Sequence, residues 1–340
     1  MVNKKKGYRV FQRKAVHIKM NSLKHLLPEK PVILSPMAGF SDSPYRRICR
    51  KAGSALSFTE FVSTDNLFRG TVKAIEMFRF TEEERPVIFQ VFGNSEMVIL
   101  KACMRLLPLQ PDGIDLNMGC SVKKVAHKGS GAGLLKEPQK VERILSSLVK
   151  ETGLPISAKI RLGWDENQLN YLDILDAVEQ AGCWAISVHG RTRKQRYTGH
   201  ADWSAIARLK RKAEIPVFGN GDVKSRAEAY QKMSGSGVDA ILVGRGAIGN
   251  PWLFGDDNKN RLSLAERMPL IAEHLAAMVE FYDLPFGVIM FRKHLLRYLE
   301  GIELPDQMRS KLLKLEKPGQ VLEQLDEIQH TISRELLLVQ

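Results

Sequence analysis

The sequence predicts an α/β protein: a (β/α)8 TIM barrel followed by a small C-terminal helical domain. Three observations support this prediction. Between residues 31 and 250, eight short β-branched runs alternate with stretches long enough to form helices. The runs are almost continuously apolar, which is typical of parallel strands that are buried on both faces. After Pro251 the β-branched clusters stop and the apolar residues recur with a helical period.

Each predicted strand is bounded by Gly, Pro or polar residues that favour turns. The eight runs are PVILSP from Pro31, SFTEFV from Ser57, PVIFQVFG from Pro86, GIDLNMG from Gly113, PISAKIRLG from Pro155, WAISVHG from Trp184, IPVFGNG from Ile215 and VDAILVGRG from Val238. Eight such units in about 220 residues fit a closed barrel better than an open sheet. In such a barrel the loops after the carboxyl ends of the strands carry the chemistry.

The chain of 340 residues exceeds the usual limit of roughly 250 residues for a single core. We therefore predict three segments: a basic extension over residues 1–30, the catalytic barrel over 31–255 and a helical domain over 261–340. The first twenty residues contain no acidic residue and lack the apolar core of a secretory signal, so a frayed basic arm is expected. A mitochondrial leader is the alternative, but the shortage of serine argues against it.

The net charge of +13 is concentrated in the first three-quarters of the chain. From Arg261 onward there are ten basic and twelve acidic residues, so the preceding part carries about +15. A field of that sign attracts polyanions such as RNA, although solubility alone is another interpretation.

The four cysteines are scattered, with no Cys-x-x-Cys spacing and no Cys/His cluster. This pattern argues against a zinc site or any other metal and against a disulfide framework, and it favours the cytoplasm. No apolar run approaches the roughly 18 residues that a membrane helix needs.

Polar residues stand where several predicted strands end. In the fifth strand, Lys159 and Arg161 alternate with apolar residues, so both cations should point into the barrel near its mouth. Gln90, Asn117 and His189 end the third, fourth and sixth strands. Satisfied structural ion pairs are the alternative interpretation, but several polar side chains at one rim favour a functional site.

Cys120 ends the run DLNMGC and is followed by the basic, glycine-rich stretch SVKKVAHKGSGAG. Because solvent and positive charge make a sulfur reactive, we interpret Cys120 as the reacting group. The other cysteines, Cys49, Cys103 and Cys183, are expected to be inert core residues.

The seventh and eighth strands end in the glycine-bearing turns GNGDV and GRGAIGNP. Many barrels hold a phosphate at these two loops, and Arg245 adds a guanidinium for its oxygens. Gly244, Gly246 and Gly249 also match the spacing of the dinucleotide fingerprint. A Rossmann fold is rejected, because the chain runs on into Pro251 and helical sequence.

These motifs resemble those of the tRNA-dihydrouridine synthases, FMN-dependent barrel enzymes that reduce selected uridines in tRNA. The resemblance runs from about residue 31 to residue 254, and the tail segment RKHLLRYLEG is similar to the family's RNA-binding domain. The motifs that carry it are SPMAGFSDSPYR, DLNMGC, GSGAGLLKEP, KIRLGW, HGRTRKQRYTGHADW, NGDV and GRGAIGNPW.

The resemblance implies bound FMN, NADPH as the reductant, and Cys120 as the donor of a proton to uracil C5 while C6 receives a hydride. The residues implied to contact FMN are Pro36, Met37, Ala38, Gln90, Lys159, His189, Asn220, Gly221, Asp222, Gly244 and Arg245. A fixed cation such as Lys159 near the polar edge of the ring favours hydride donation.

The implied substrate is tRNA, whose target nucleotide must be extruded into the barrel mouth. Asn117 and Arg161 are expected at the uracil edge. The loop after the sixth strand should supply phosphate contacts and one stacking face, through Arg191, Arg193, Gln195, Arg196 and Tyr197. In the tail, Arg292 and Lys293 are candidates for gripping phosphates, with a solvated helix face as the alternative.

Ser121 departs from the family pattern, which has proline after the reactive cysteine. We expect the departure to affect the rate more than the reaction, because serine either loosens the turn or adds a hydroxyl.

Two other functions stay open at the level of sequence. One is an FMN-dependent barrel oxidoreductase acting on a free pyrimidine or another small molecule. The other is a non-catalytic RNA-binding protein on a barrel scaffold, which predicts no flavin. The sequence leaves open which uridine is modified, the choice between NADPH and NADH, and the oligomeric state.

Overall fold

The structure, a computed structural model, describes residues 23, 25–255, 262–304 and 306–338. Most of the predicted basic extension over residues 1–30 lies outside these ranges. The strands are β1 Val32–Leu34, β2 Ser57–Phe58, β3 Val62–Ser63, β4 Val87–Phe92, β5 Gly113–Met118, β6 Ile156–Arg161, β7 Ala185–His189, β8 Val217–Asn220 and β9 Ala240–Val243.

The helices alternate with the strands up to residue 236 and follow one another from residue 264 onward. They are α1 Ser43–Lys51, α2 Thr64–Phe68, α3 Val72–Glu76, α4 Glu96–Met104, α5 Lys123–Ala126, α6 Pro138–Thr152, α7 Tyr171–Gln180, α8 Trp203–Lys212, α9 Arg226–Ser236, α10 Leu264–Tyr282, α11 Phe286–Tyr298, α12 Asp306–Leu312 and α13 Pro318–Leu338. Short 3-10 helices cover Glu82–Glu84, Leu107–Leu109, Gly131–Lys136, Arg245–Ala247 and Pro251–Phe254.

The strands form one parallel sheet that closes on itself. Its order is β1-β9-β8-β7-β6-β5-β4-β2, with β3 also pairing with β4. The β1–β2 junction has two hydrogen bonds: Ala55 N donates to Val32 O, and Leu34 N donates to Ser54 Oγ, both at 3.0 Å. The predicted (β/α)8 barrel with a helical C-terminal region is therefore confirmed, with the second predicted strand divided into β2 and β3.

Burial explains why the strands lack a polar face. Every residue of β5 and β6 is buried, because helices cover the outside of the barrel and the opposite faces fill its interior. The interior floor is an apolar cluster that includes Ile33, Phe58, Ile88 and Phe218. Polar side chains are therefore confined to the levels above this floor, towards the carboxyl ends of the strands.

The helices from α10 onward enclose a second apolar cluster, which includes Ile271, Phe291, Tyr298 and Leu325. Helix α10 begins with a capping box, in which Ser263 Oγ accepts from Glu266 N and the Glu266 carboxylate accepts from Ser263 N. No helix in the described ranges is both long enough and apolar enough to cross a membrane.

Helix α10 packs on α1 of the barrel. Two ion pairs join them, Arg47 to Glu280 at 3.1 Å and Lys51 to Glu273 at 2.7 Å. Both pairs are largely exposed, so each contributes at most about 1 kcal/mol. The tail therefore lies beside the loop that follows β1, at the same end of the barrel as the mouth.

Candidate active site at the mouth of the barrel

Strand register arranges the polar side chains of neighbouring strands in levels. The residues aligned across β4, β5 and β6 at the lower level are Gln90, Asp115 and Ser157. The residues aligned across β6, β7 and β8 at the upper level are Arg161, His189 and Asn220. This alignment brings the predicted strand-end residues to one mouth, because parallel strands end at the same side of the barrel.

Asp115 anchors a hydrogen-bonded chain that rises from the lower level. Ser157 Oγ donates to Asp115 Oδ1 at 2.6 Å and Gln90 Nε2 donates to Oδ2 at 2.7 Å. Asn117 Nδ2 in turn donates to Gln90 Oε1 at 2.9 Å. Burial raises the pKa of Asp115, and the bonds from Ser157 and Gln90 oppose that shift. Gln90 is fully buried within this chain, and its contact with a flavin stays a prediction.

The hydrogen-bonded chain ends at the backbone of Cys120. Asn117 Oδ1 accepts from Gly119 N at 3.1 Å and from Cys120 N at 2.9 Å. Ala132 N donates to Cys120 O at 3.2 Å, which ties the turn to the next loop. The side chain of Asn117 thus fixes the turn after β5, and its predicted contact with uracil stays a prediction.

The thiol of Cys120 is shielded from solvent, with 9% of the residue exposed. Burial raises its pKa, and the Val122 N–H and the Arg161 guanidinium oppose the shift. The sulfur is therefore a protonated thiol at neutral pH. This corrects the expectation of a solvent-exposed sulfur among lysines, because Lys123 and Lys124 lie exposed on the loop and Arg161 is the cation that acts on the thiol.

His189 lies among four cations. Burial lowers its pKa well below the ordinary value, and Arg161, Lys159, Arg191 and Arg245 lower it further. The ring is consequently neutral at physiological pH. A neutral, buried imidazole surrounded by positive charge is suited to line a binding pocket for a planar, negatively polarised group.

Lys159 is a buried cation without a close counter-ion. Its Nζ donates to Asn220 Oδ1 at 3.1 Å, and among the described residues it makes no ion pair. Burial and, to a smaller extent, the charge of Arg161 lower its pKa, Asp115 opposes the shift, and the net pKa is about 8. Since an unpaired buried ammonium is unfavourable, this position favours an anionic or strongly accepting ligand.

Arg191 is almost fully buried, and its predicted phosphate contact with tRNA stays a prediction. The residue is 1% exposed, and its Nη2 donates to Asp222 Oδ1 at 2.8 Å and Oδ2 at 2.7 Å. Its Nε donates to Thr198 O at 3.1 Å. The pair keeps the pKa of Asp222 low despite burial, with help from the Ala201 N–H. Arg191 therefore binds the loop after β7 to the turn after β8.

Tyr197 is the exposed aromatic residue of the mouth, with 59% of its surface accessible. The guanidinium carbons of Arg245 and Arg161 lie 4.7 and 5.7 Å from its ring centroid. Arg161 Nη1 also donates to Thr192 O at 3.0 Å and to Arg196 O at 2.8 Å, which holds this loop in place. Tyr197 thus presents a ring face beside two cations, as stacking on a base requires.

Two further residues of the same loop, Gln195 and Arg193, contact other residues of the protein. Gln195 Oε1 accepts from Thr192 N at 2.7 Å, so this side chain folds the loop. Arg193 stacks 4.3 Å from the centroid of Trp164, and Lys136 lies 3.5 Å from the same ring. The stack of Lys136, Trp164 and Arg193 forms a basic and aromatic surface beside the mouth.

The two glycine turns after β8 and β9 pack against each other. A Cβ at Gly246 would overlap Val223 O, and Gly221 has a φ of 138° that favours glycine. A Cβ at Gly244 would lie 3.5 Å from Met37 Sδ, which brings the segment after β1 to the same place. Pro36 is buried, Met37 and Gly244 are half-buried, and Ala38 and Arg245 are exposed.

In the tail, the predicted phosphate-gripping pair faces inward. Arg292 is half-buried and its Nη2 donates to Leu315 O at 3.0 Å. Lys293 is half-buried with its Nζ 5.4 Å from the Phe40 ring centroid, towards the barrel. Both side chains are half-buried rather than on a fully solvated helix face, and their contact with tRNA phosphates stays a prediction.

Sequence reasoning missed Asp115 and Trp164 as site residues. A signal existed for Asp115, because it precedes Asn117 by two positions in one strand and therefore shares its face. Trp164 carried no such signal, since its stack depends on how the loops after β6 and β7 meet.

The dihydrouridine synthase (Dus) family model matches residues 33–335 of the chain. This match spans the barrel and most of the tail. The chain belongs to the dihydrouridine synthase family. It is 36% identical over 301 residues to tRNA-dihydrouridine synthase B from Pseudomonas aeruginosa, covering 86% of this chain and 90% of that protein. It is 33% identical over 317 residues to a probable tRNA-dihydrouridine synthase from Aquifex aeolicus, covering 90% and 97%.

Two solved structures share the barrel of this Dus family member at low identity. Histamine dehydrogenase from Rhizobium sp. 4-9 has a TM-score of 0.52 and 12% identity, with 72% of this chain and 48% of that chain covered. A 2-naphthoyl-CoA reductase has a TM-score of 0.51 and 10% identity, with 66% and 49% covered. These similarities support the fold.

Proposed function

We propose that this protein is an FMN-dependent tRNA-dihydrouridine synthase that uses NADPH to reduce the C5–C6 double bond of specific uridines in tRNA, with Cys120 as the proton donor. Membership of the Dus family supports the reaction class. The observation that carries the proposal is a protonated, shielded thiol at a mouth where four cations are gathered.

The residues of the mouth fit FMN. Four cations, Lys159, Arg161, Arg191 and Arg245, face two carboxylates, Asp115 and Asp222, so the mouth has an excess of positive charge. Lys159 in particular lacks an ion pair among the described residues. The packed glycine turns and Arg245 suit the phosphate, while Met37 and His189 suit the ring. FMN, when bound, supplies the hydride that C6 of uracil receives.

The proton step follows from the setting of Cys120. Uracil C5 takes the proton from the thiol as C6 takes the hydride, so the double bond is reduced and a thiolate remains. Arg161 and the Val122 N–H stabilise that thiolate, and solvent restores its proton. Ser121 is half-buried beside the sulfur, and its effect on the rate stays a prediction.

The tRNA surface that we propose is the loop after β7 together with the tail. Tyr197 offers a stacking face, and Arg196 and the stack of Lys136, Trp164 and Arg193 offer positive charge near the mouth. The helices over residues 261–340 form the proposed tRNA-binding domain, and the cytoplasm is the proposed location because tRNA is the substrate.

Cys120→Ala tests the proposal most directly. Purified wild-type protein with NADPH should form dihydrouridine in an unmodified tRNA transcript, as measured by nucleoside mass spectrometry. Cys120→Ala should retain flavin absorbance and tRNA affinity but lose turnover by at least about 100-fold, which is the usual contribution of a general acid. Cys103→Ala is the matched control, because Cys103 is buried on α4 away from the mouth.

Normal dihydrouridine formation by Cys120→Ala would refute the role of this thiol. Reoxidation of the reduced enzyme by uracil or uridine, but not by tRNA, would instead favour an oxidoreductase for free pyrimidines. A wild-type protein purified without flavin would contradict the whole proposal.

A further inference from the structure

Three buried side chains from the barrel and the tail meet at a point outside the mouth. Asp42 caps α1 of the barrel, whereas His274 and His294 lie on α10 and α11 of the tail. One potential ligand atom from each of the three lies within 4.8 Å of the other two. The cluster therefore joins residues more than 230 positions apart, and it has no part in the proposed reaction.

The imidazole nitrogens of this cluster lack partners. His274 Nε2 and both ring nitrogens of His294 are buried and make no hydrogen bond within the described structure. Both histidines are fully buried. Buried polar atoms are normally satisfied, so three orphaned nitrogens in one place indicate a missing ligand.

The surroundings orient the other atoms as the outer shell of a metal site does. His274 Nδ1 lies 2.9 Å from Tyr298 Oη, a contact that fixes the ring and leaves Nε2 towards the cluster. Tyr282 Oη donates to Asp42 Oδ2 at 3.0 Å, and Tyr45 N donates to Oδ1 at 3.2 Å. Each carboxylate oxygen keeps a lone pair, so Asp42 is able to coordinate a cation while it caps α1.

Aromatic rings enclose the cluster. Tyr45 stacks on His274 with centroids 5.3 Å apart and lies 4.7 Å from His294, while Phe40 meets His294 edge-on at 5.6 Å. The enclosure excludes most solvent, which strengthens coordination of a cation by a carboxylate.

We propose that Asp42, His274 and His294 bind one Zn²⁺ ion that joins the barrel to the helical tail. Two imidazoles and one carboxylate are a common zinc donor set, with a water as the fourth ligand. Bond lengths of about 2.1 Å place tetrahedral ligand atoms about 3.4 Å apart, so atoms that lie within 4.8 Å of one another must approach by at most about 1.4 Å when the ion binds. The ammonium of Lys293 interacts with Asp42, so the ion must compete with this charge for the carboxylate.

The ion would have a structural role that is separate from the proposed tRNA chemistry. Its ligands come from the barrel and from two different tail helices, so coordination fixes the tail relative to the mouth. The two exposed ion pairs between α1 and α10 are too weak to do this alone. Cys-based motif searching misses such a site, because its ligands are isolated in sequence.

Metal content tests the proposal without reference to activity. Untagged, full-length holoprotein is incubated with Zn²⁺, desalted and measured by plasma mass spectrometry. We expect about one Zn²⁺ per chain for wild type, and less than about a tenth of that for His274→Asn and for His294→Asn. His330→Asn is the matched control, since His330 lies exposed on α13 of the same tail and should keep the full zinc content.

A second measurement covers the case in which a variant folds poorly. Wild-type protein reconstituted with Co²⁺ should show the visible absorption bands of a tetrahedral site, and chelation should abolish them and lower the Tm by about 5 °C. Wild-type protein that takes up neither Zn²⁺ nor Co²⁺ would overturn the proposal, as would variants that retain the wild-type zinc content. Neither result would bear on dihydrouridine formation, which is measured separately.

Discussion

Asn117 connects the interior of the barrel to the turn that carries the Cys120 thiol. Its Nδ2 is held by Gln90, which Asp115 holds in turn, and its Oδ1 receives the Gly119 and Cys120 N–H groups. The position of the sulfur is thus set by a buried polar chain. Such a chain is effective only when every member is satisfied, because an unpaired polar group in a low-dielectric interior is costly.

Asn117→Ala should therefore lower turnover more than binding. The substitution leaves the buried N–H of Cys120 and the half-buried N–H of Gly119 without their acceptor, with a cost of about 1–3 kcal/mol. We expect at least about a tenfold slower single-turnover formation of dihydrouridine by pre-reduced enzyme, with flavin content retained. Asn167→Ala, an exposed amide on the loop after β6, is the control. Unchanged single-turnover kinetics would show that the chain does not position the thiol.

Lys159 should give cofactor binding a defined pH dependence. Its pKa of about 8 in the folded protein lies below the ordinary value of 10.5 because of burial, so the folded protein releases this proton before the unfolded chain does. Stability of the cofactor-free protein therefore rises from pH 8 to 10.5 on account of this group. A ligand that accepts from Nζ raises the pKa again, so binding above pH 8 takes up a proton.

FMN affinity should accordingly fall as the pH rises above about 8, by up to tenfold per pH unit. Fluorescence titration of the apoprotein between pH 7 and pH 9.5 measures this dependence, since the phosphate is already doubly charged there. Lys159→Met should bind FMN more weakly at pH 7 and show a flat profile. A flat wild-type profile would mean that the ammonium does not contact the cofactor.

Individual site residues differed in how far the sequence could predict them. Lys159 and Arg161 were placed correctly in the barrel interior, because period-two geometry decides the face of a strand residue. The burial of Arg191 was not predicted, because a loop sequence does not reveal that Asp222 will pair with its guanidinium. Chemistry on strands was thus predictable, whereas chemistry on loops depended on the tertiary fold.

Among the elements, the strands were predicted well and their irregularities were not. Seven of the eight predicted runs contain their strand completely, and the second contains β2 and the first residue of β3, since near-continuous apolar runs between turn residues identify buried parallel strands. The run SFTEFV divides into β2 and β3 around Thr59–Phe61. Thr59 N donates to Ile88 O at 3.0 Å, and the chain then shifts to pair with the far end of β4. The pattern of apolar and polar residues in a run of six residues does not predict such a register shift.

The loop that supports Cys120 depends on one glycine. Gly131 has a φ of 55°, and a Cβ there would lie 2.9 Å from Cys120 Cβ. Gly131→Ala should lower the free energy of unfolding by about 1–2 kcal/mol through backbone strain and should also displace the sulfur, lowering turnover. Gly153→Ala is the matched control, because Gly153 has a φ of 65° with no neighbour within 4 Å. Equal loss of turnover in both variants would assign the effect to stability alone.

At the scale of the whole molecule, the barrel and the helical tail were each predictable and their docking was not. The helical period of the apolar residues predicts the tail. The contact of α10 with α1, which the sequence does not predict, places Asp42 beside two histidines from distant sequence positions. Long-range packing of this kind follows from complementary surfaces, which a single sequence does not display.

The charge distribution makes tRNA binding steeply dependent on salt. The first 260 residues carry about +15, so binding should release many counterions and log affinity should fall linearly with log salt concentration.

Arg196→Gln, at the exposed mouth loop, should reduce that slope by about one and weaken binding of all tRNAs similarly. Lys150→Gln is the matched control: the charge change is equal, but Lys150 lies on the last turn of α6, near the amino ends of the strands. Filter binding at several salt concentrations measures both slopes. Equal slopes for Arg196→Gln and wild type would place the phosphate backbone away from this loop and leave the tail as the main tRNA surface.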